Sequence, residues 1–329
     1  MARTRFEAMD VVRGFAAMTV VVYHLTAYAH PAAPLSGGYL AVDLFFVLSG
    51  FVLSHAYGQR LEHGLSPPRF MMLRLVRLWP AYLIGIVAGI AFALAHAPAA
   101  KVGLAALCAV LFIPLPLDLG EGRSLFPLNL PAWSLFFELG ANLAFVLFYR
   151  FLTWRTLLAL LLMSAVGLVI VAIRAEGLHA GWAPDNFLGG GPRAIYGFFA
   201  GVLIQRRWPE GLKLGPAPVL LALASLLVPV AIPLRPAFDV IVVTVVFPLC
   251  AAALAGATLS PRAGQMATAL GVISYPLYAI HMPFVPWVRH QPLVGLILLL
   301  VASYLIGRFY EPPVRAFLAR RLVGKAAIA

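Results

Sequence analysis

The chain has 329 residues, of which 62% are hydrophobic and only 11% are charged, a composition that excludes an ordinary soluble domain of this length. Its formal net charge of +12 would suit nucleic acid in a soluble protein, but no basic segment with interleaved aromatic residues indicates such a partner. Lys and Arg instead gather beside apolar segments, as they do in the cytoplasmic loops of membrane proteins. Cys108 and Cys250 lie in apolar runs and suggest neither a disulfide nor a metal site.

Apolar segments that are candidates for crossing a bilayer recur along the whole chain. They lie near 10–30, 38–58, 79–97, 102–117, 131–151, 156–173, 192–205, 216–233, 238–257, 268–286 and 293–310. The segment 102–117 is the most interrupted by proline, and if it alone does not span, every basic cluster falls on the cytoplasmic side. The sequence therefore predicts an all-α, polytopic transmembrane helix bundle of about ten spans with both termini cytoplasmic. The alternative is that 102–117 spans and a neighbouring segment is re-entrant.

The first apolar segment contains two residues that lipid tolerates poorly, Arg13 and His24. Eleven helical steps of about 100° place both side chains near one helix face, roughly 16 Å apart along the axis. An ionisable residue deep in a membrane is costly and indicates a functional site. The spacing predicts a basic group at the cytoplasmic edge and a titratable base buried in line with it.

Two carboxylates also fall within apolar segments. Asp43 lies near the outer end of the second segment, where we expect it to accept a hydrogen bond from Nδ1 of His24 and orient the ring. Its alternative is an interfacial carboxylate solvated by water. Glu138 lies about two turns into the segment 131–151, and its candidate partners are His24, Arg13 or Arg193. Its alternative is a structural ion pair between helices.

Further polar motifs lie on the cytoplasmic side and near the C-terminus. Arg74-x-x-Arg77 puts two guanidinium groups on one helix face, where they suit phosphates or, alternatively, anionic lipid headgroups. Ser274 and His281 share a face if Pro276 does not break the helix, and such a pair suggests either a nucleophile with its base or ordinary hydrogen bonds between helices. Glu311, at the end of the last apolar segment, is expected to form an ion pair.

Taken in order, these motifs resemble acyltransferase family 3, the bacterial integral-membrane acyl-CoA-dependent O-acyltransferases. The resemblance extends from about Arg5 to Arg315 and rests on Arg13-Gly14-Phe15-Ala16-Ala17 with Arg13-x10-His24, Val42-Asp43-Leu44-Phe45-Phe46-Val47-Leu48-Ser49-Gly50-Phe51, Arg74-x-x-Arg77, Trp133-Ser134-Leu135-x-x-Glu138, Ile273-Ser274-Tyr275-x-Leu277-Tyr278-x-x-His281 and Tyr310-Glu311-Pro312. It implies transfer of an acyl group, often acetyl, from cytoplasmic acyl-CoA to a hydroxyl of a surface glycan, lipid-linked sugar or metabolite. It also implies a multi-pass protein of the bacterial cytoplasmic (inner) membrane, with Arg13 and His24 as the essential pair and Arg74 and Arg77 also involved.

The residue chemistry agrees with that resemblance. We expect Arg13, Arg74 and Arg77 to bind the phosphates of acyl-CoA, expected to be acetyl-CoA, which is a co-substrate and not a permanently bound cofactor. His24 then acts as general base or as an acyl relay, with Asp43 and Glu138 as the other catalytic candidates. We expect one membrane domain, 1–329, with no fused soluble domain. The alternative function is a proton-coupled transporter or flippase that uses the same intramembrane residues.

Overall fold

The computed structural model describes residues 6–26, 36–120, 122–212, 217, 222–224, 236–288 and 290–324. Within these ranges the chain is nearly all helical, and its only strands are a two-residue antiparallel pair, β1 (Leu117–Asp118) and β2 (Arg123–Ser124). Among the described residues, eight helices are long and apolar enough to cross a membrane, and a bent helix pair gives a ninth candidate. The predicted all-α, polytopic bundle is thus confirmed, whereas the cytoplasmic placement of both termini and the single-domain organisation stay predictions.

The helices follow the predicted apolar segments closely. The candidate span 216–233 lies outside the described residues, apart from 217 and 222–224. The helices are α1 (Glu7–Thr26), α2 (Ala41–Glu62), α3 (Pro67–Ala93), α4 (Ala99–Val110), α5 (Ala132–Phe148), α6 (Trp154–Arg174), α7 (Gly190–Arg207), α8 (Pro236–Ala255, with a π-helical stretch at Val242–Val246), α9 (Pro261–Ile280), α10 (Val285–Val288) and α11 (Pro292–Leu322, with a π-helical stretch at Ile306–Tyr310). Short 3₁₀ turns are Ser36–Leu40, Tyr149–Phe151, Phe187–Gly189 and Met282–Phe284.

The segment 102–117 forms only the short helix α4. Its 12 residues reach about 18 Å, less than the roughly 30 Å of a bilayer core, so α4 does not span on its own. The chain leaves the helix through Phe112, whose φ of 56° is incompatible with a continuing right-handed helix. The prediction that this proline-rich segment is not a span is therefore supported by its length.

Glycines bring α2 and α7 into backbone contact. A Cβ atom on Gly50 would lie 1.8 Å from the carbonyl oxygen of Phe198, and one on Gly201 would lie 2.0 Å from that of Val47. Only glycine permits so close an approach, and membrane helices use such small residues to pack tightly where lipid supplies no hydrophobic driving force. The contact holds the middle of α2 against the middle of α7.

The bend between α9 and α10 lies beside His281. Helix α9 continues through Pro276 and ends at Ile280, and the following helix is inclined by 58°. The last carbonyl groups of a helix have no N–H partner in a following turn. At the end of α9 the buried side chain of His281 supplies such a partner, with Nδ1 at 2.8 Å from the carbonyl oxygen of Tyr278. The end of α9 thereby holds an imidazole inside the bundle, and α9 packs along α1.

Candidate functional site

A first cavity lies between α1, α2, α3, α5 and α9 and contains about 850 Å³ of unoccupied space, part of it open to solvent. Arg13, Arg74 and Arg77, predicted to bind phosphates, all line it, together with Glu138. We call it the arginine cavity and define it by these four residues. These residues belong to three helices, and the structure shows that they face one space. In the sequence they are only separate motifs.

Glu138 lies among the arginines of this cavity. Its Oε1 accepts hydrogen bonds from Nη2 of Arg74 at 3.1 Å and from Oγ of Ser49 at 2.7 Å. The expected partners His24, Arg13 and Arg193 were wrong, because α5 packs against α3 and presents Glu138 to the Arg74 side of the cavity. The contact of Glu138 with Arg74 is an ion pair between two helices, which was the alternative interpretation of Glu138.

The guanidinium groups keep donors that protein atoms do not satisfy. Among the described residues, Nε of Arg74 and Nη1 of Arg77 are buried and have no hydrogen-bond partner. Arg77 Nη1 lies 3.6 Å from Oε1 of Glu311, which confirms Glu311 as an ion-pair partner but is too long for a hydrogen bond. Arg13 Nη1 likewise lies 3.6 Å from Oδ1 of Asp10. Such donors suit an anionic, phosphate-bearing ligand.

His24 opens into a second, smaller cavity of about 450 Å³, whose lining includes Tyr23, His179 and Trp182. We call it the histidine cavity. Two residues, Val42 and Tyr278, line both cavities and therefore form the wall between them. Arg13 and His24, eleven residues apart on α1, thus border two adjacent cavities.

Nδ1 of His24 faces the side chain of His281, and not that of Asp43. Nδ1 of His24 lies 2.8 Å from the carbonyl oxygen of Val20 and 3.2 Å from Nε2 of His281. The expected hydrogen bond from His24 Nδ1 to Asp43 is therefore wrong, because these two groups occupy that nitrogen. The sequence suggests Ser274 as the partner of His281, but the Ser274 hydroxyl donates to the carbonyl oxygen of Gly271 at 3.1 Å.

Asp43 pairs with Arg193, a residue of α7. Arg193 Nε donates to Oδ1 at 3.0 Å and Nη2 donates to Oδ2 at 2.6 Å, while Nη1 donates to the carbonyl oxygen of Ala180 at 2.7 Å. The guanidinium also lies over the ring of Trp133, 4.9 Å from its centroid. Both charged side chains are almost completely buried, and the close contact of α2 with α7 aligns them. Asp43 was expected at a solvated edge or beside His24, and neither position is correct.

The loop between α6 and α7 adds a histidine that sequence analysis missed. Nε2 of His179 lies 3.0 Å from the hydroxyl of Tyr23, the residue before His24. Burial and, to a lesser degree, the charge of Arg193 lower the pKa of His179 to about 4, so its imidazole is neutral near pH 7. No local pattern marks this residue, because its environment is created by helices distant in sequence.

Comparisons with known proteins agree with this architecture. A family model described as an acyltransferase domain matches residues 6–310. "Protein 2 in picA locus" of Rhizobium radiobacter is 34% identical over 186 residues, which are 51% of this chain and 95% of that protein.

Two further relatives match over shorter stretches. The putative membrane-bound transacylase BcsY of Komagataeibacter xylinus is 36% identical over 81 residues, 25% of this chain and 19% of that protein. The O-acetyltransferase OatA of Staphylococcus aureus is 35% identical over 92 residues, 27% of this chain and 14% of that protein. The chain thus aligns with less than a fifth of the length of these two proteins. No solved structure matches the chain.

Proposed function

Because the chain belongs to the acyltransferase family whose model matches residues 6–310, we propose that it is an acyl-CoA-dependent O-acyltransferase of the bacterial cytoplasmic membrane. The acyl group, expected to be acetyl, comes from cytoplasmic acyl-CoA and goes to a hydroxyl of a surface glycan, lipid-linked sugar or metabolite. The similarity to a named O-acetyltransferase and a named transacylase supports this class of reaction.

The observation on which the proposal chiefly depends is the pair of cavities at the two ends of α1. One has three arginines and the other has His24, and Val42 and Tyr278 separate them. An acyl-CoA molecule has anionic phosphates at one end and a thioester at the end of a long flexible arm. With the phosphates in the arginine cavity, the arm would extend past this wall toward His24.

The charges of the arginine cavity suit the phosphate end of the acyl donor. Arg13, Arg74 and Arg77 face one space, in which Glu138 supplies the only carboxylate of the described lining residues. The buried N–H groups of Arg74 and Arg77 that lack hydrogen-bond partners among the described residues would donate to phosphate oxygens. Charge-assisted bonds of this kind are about twice as strong as neutral ones, and guanidinium groups match phosphate geometry.

The chemical step requires a base beside the thioester. His24 takes the proton of the acceptor hydroxyl, whose oxygen forms a bond to the thioester carbonyl carbon while the carbon–sulfur bond breaks. The proton then passes from His24 to the departing thiolate of coenzyme A. General base catalysis of this kind contributes roughly 10²–10⁴-fold. In the alternative order, His24 first accepts the acyl group and then transfers it to the hydroxyl.

The test is acyl transfer by the purified protein in lipid nanodiscs, with radiolabelled acetyl-CoA and an envelope extract as acceptor. We expect labelled product and equivalent release of coenzyme A, both lost in His24→Ala, while Arg77→Ala and Arg74→Lys raise the KM for acetyl-CoA. His63→Ala is the matched control, because His63 is exposed and lines neither cavity. Wild-type transfer by His24→Ala would overturn the proposal. Wild-type protein that neither releases coenzyme A nor forms product would favour a proton-coupled transporter or flippase.

A further inference from the structure

The contacts of His281 determine which of its nitrogens has the hydrogen. Nδ1 lies 2.8 Å from the carbonyl oxygen of Tyr278 and 3.2 Å from that of Leu277. A carbonyl oxygen only accepts hydrogen bonds, so Nδ1 must be the donor. In a neutral imidazole the other nitrogen, Nε2, is then an acceptor.

The same reasoning applies to His24. Its Nδ1 lies between two acceptors, the carbonyl oxygen of Val20 at 2.8 Å and Nε2 of His281 at 3.2 Å. Nδ1 therefore has the hydrogen, and Nε2 is the nitrogen that accepts a proton. Two independent sets of contacts thus give one consistent arrangement, in which His24 donates to His281 and His281 donates to the end of α9.

We propose that His281 is the positioning residue of the acyl-transfer step, holding His24 with its hydrogen on Nδ1, so that Nε2 is its basic nitrogen. The proposal rests on the proposed function of His24. His281 takes the place that a carboxylate has in a serine hydrolase triad, because its Nε2 accepts the hydrogen bond that strengthens as His24 becomes an imidazolium. The acceptor in this pair is neutral, since the carboxylate of Asp43 is engaged by Arg193.

The surroundings keep His281 in place for this role. Its side chain is completely buried, and it lies at the bend where α9 ends. Among the described residues, polar groups near the pair include Tyr23, His179 and Tyr278, from α1, the loop between α6 and α7, and α9. The ring plane of His281 is tilted by 48° to that of His24, with ring centroids 5.0 Å apart, so the contact is made edge to edge by nitrogen atoms.

Two substitutions test the roles of the two His281 nitrogens separately. In His281→Asn the amide reaches the position of Nδ1 and still donates to the carbonyl oxygen of Tyr278, but the side chain no longer accepts the hydrogen of His24, which keeps only the carbonyl oxygen of Val20 as an acceptor. In His281→Gln the amide reaches the position of Nε2, so its oxygen still accepts from His24. We expect His281→Asn to lower kcat by at least about tenfold with the KM for acetyl-CoA unchanged, and His281→Gln to restore most of that loss. Equal kcat losses in both variants, or no loss in His281→Asn, would overturn the proposal.

Nitrogen-15 magnetic resonance of histidine-labelled protein gives a test that does not depend on activity. We expect both His24 and His281 to have the hydrogen on Nδ1 near neutral pH, with the two signals assigned from His24→Gln and His281→Asn. In His281→Asn the His24 signal should show a weaker Nδ1 hydrogen bond. A hydrogen on Nε2 of His24 in the wild-type protein would overturn the proposal even if acyl transfer is observed. The expected spectrum in a protein without transferase activity would refute only the proposed function.

Discussion

Arg193 and Asp43 form a two-point ion pair that is almost fully enclosed by protein, with Nε to Oδ1 at 3.0 Å and Nη2 to Oδ2 at 2.6 Å. The pair joins α7 to the start of α2, beside the histidine cavity that Arg193 itself lines. Each charge is compensated chiefly by the other, because both are removed from solvent. The pair is therefore a structural contact on which the shape of the histidine cavity depends.

Removing one partner of this pair should be costly. We expect Arg193→Ala to lower the free energy of unfolding by about 3–5 kcal/mol, because it leaves the carboxylate of Asp43 buried without its counter-charge. The measurement is a denaturant titration of the purified protein in detergent. The double variant Asp43→Leu with Arg193→Met should lose much less stability, since an apolar pair of similar volume can replace a buried ion pair. Equal losses in the single and double variants would contradict this account.

The sequence predicted best those features that one helix determines. Arg74 and Arg77 share one face of α3 because of their spacing, and the structure places both beside the same cavity, which Arg13 of α1 also lines. The partner of Asp43 lies 150 residues away and is selected by the glycine contact of α2 with α7, which no local pattern reveals. The same limit applies to His281, because its side chain reaches His24 only through the packing of α9 on α1.

Glu138 distinguishes a donor-binding role from a catalytic one. Its carboxylate contacts Arg74 and Ser49 in the arginine cavity, whereas His24 opens into the other cavity. Glu138→Gln keeps an oxygen acceptor for these contacts but removes a negative charge from the space proposed for the phosphates. We expect the KM for acetyl-CoA to fall by about two- to fivefold with kcat unchanged, the size of one exposed charge interaction.

Initial rates at varied acetyl-CoA concentration measure this effect. Glu62→Gln is the matched control, because Glu62 also accepts a hydrogen bond from a neighbouring side chain, Tyr149, but lines neither cavity. A large fall in kcat with unchanged KM would contradict the donor-binding role of Glu138 and support the catalytic role that the sequence suggested.

The crossing of α2 and α7 should tolerate no side chain at Gly50. The added methyl group of Gly50→Ala would meet the backbone of Phe198, so the helices must separate, and we expect a loss of about 1–3 kcal/mol or more in the free energy of unfolding. Gly140→Ala is the matched control, since Gly140 is also helical but has open space at the Cβ position. Alanine should be neutral or slightly stabilising there, because it favours the helix by about 1 kcal/mol. Equal effects of the two substitutions, measured by thermal denaturation in detergent, would contradict the close crossing.

The wall between the two cavities should control acyl transfer separately from donor binding. Val42 is 6% exposed and lines both cavities, so a larger side chain there narrows the passage proposed for the thioester between the arginines and His24. We expect Val42→Phe to retain acetyl-CoA binding by calorimetry while acyl transfer falls by at least about tenfold, because the thioester no longer reaches the base. Val42→Ala leaves the passage open and should keep transfer near the wild-type rate.

The comparison of these two variants also controls for stability. Phenylalanine at a packed position costs about 1–3 kcal/mol through crowding, and truncating Val42 leaves a small cavity, so both proteins are somewhat destabilised. A fall in transfer that simply followed lower stability would appear in both variants. Only a blocked passage makes Val42→Phe inactive with bound donor while Val42→Ala remains active. Wild-type transfer by a folded Val42→Phe protein would mean that the acyl group reaches His24 by a route that does not pass Val42.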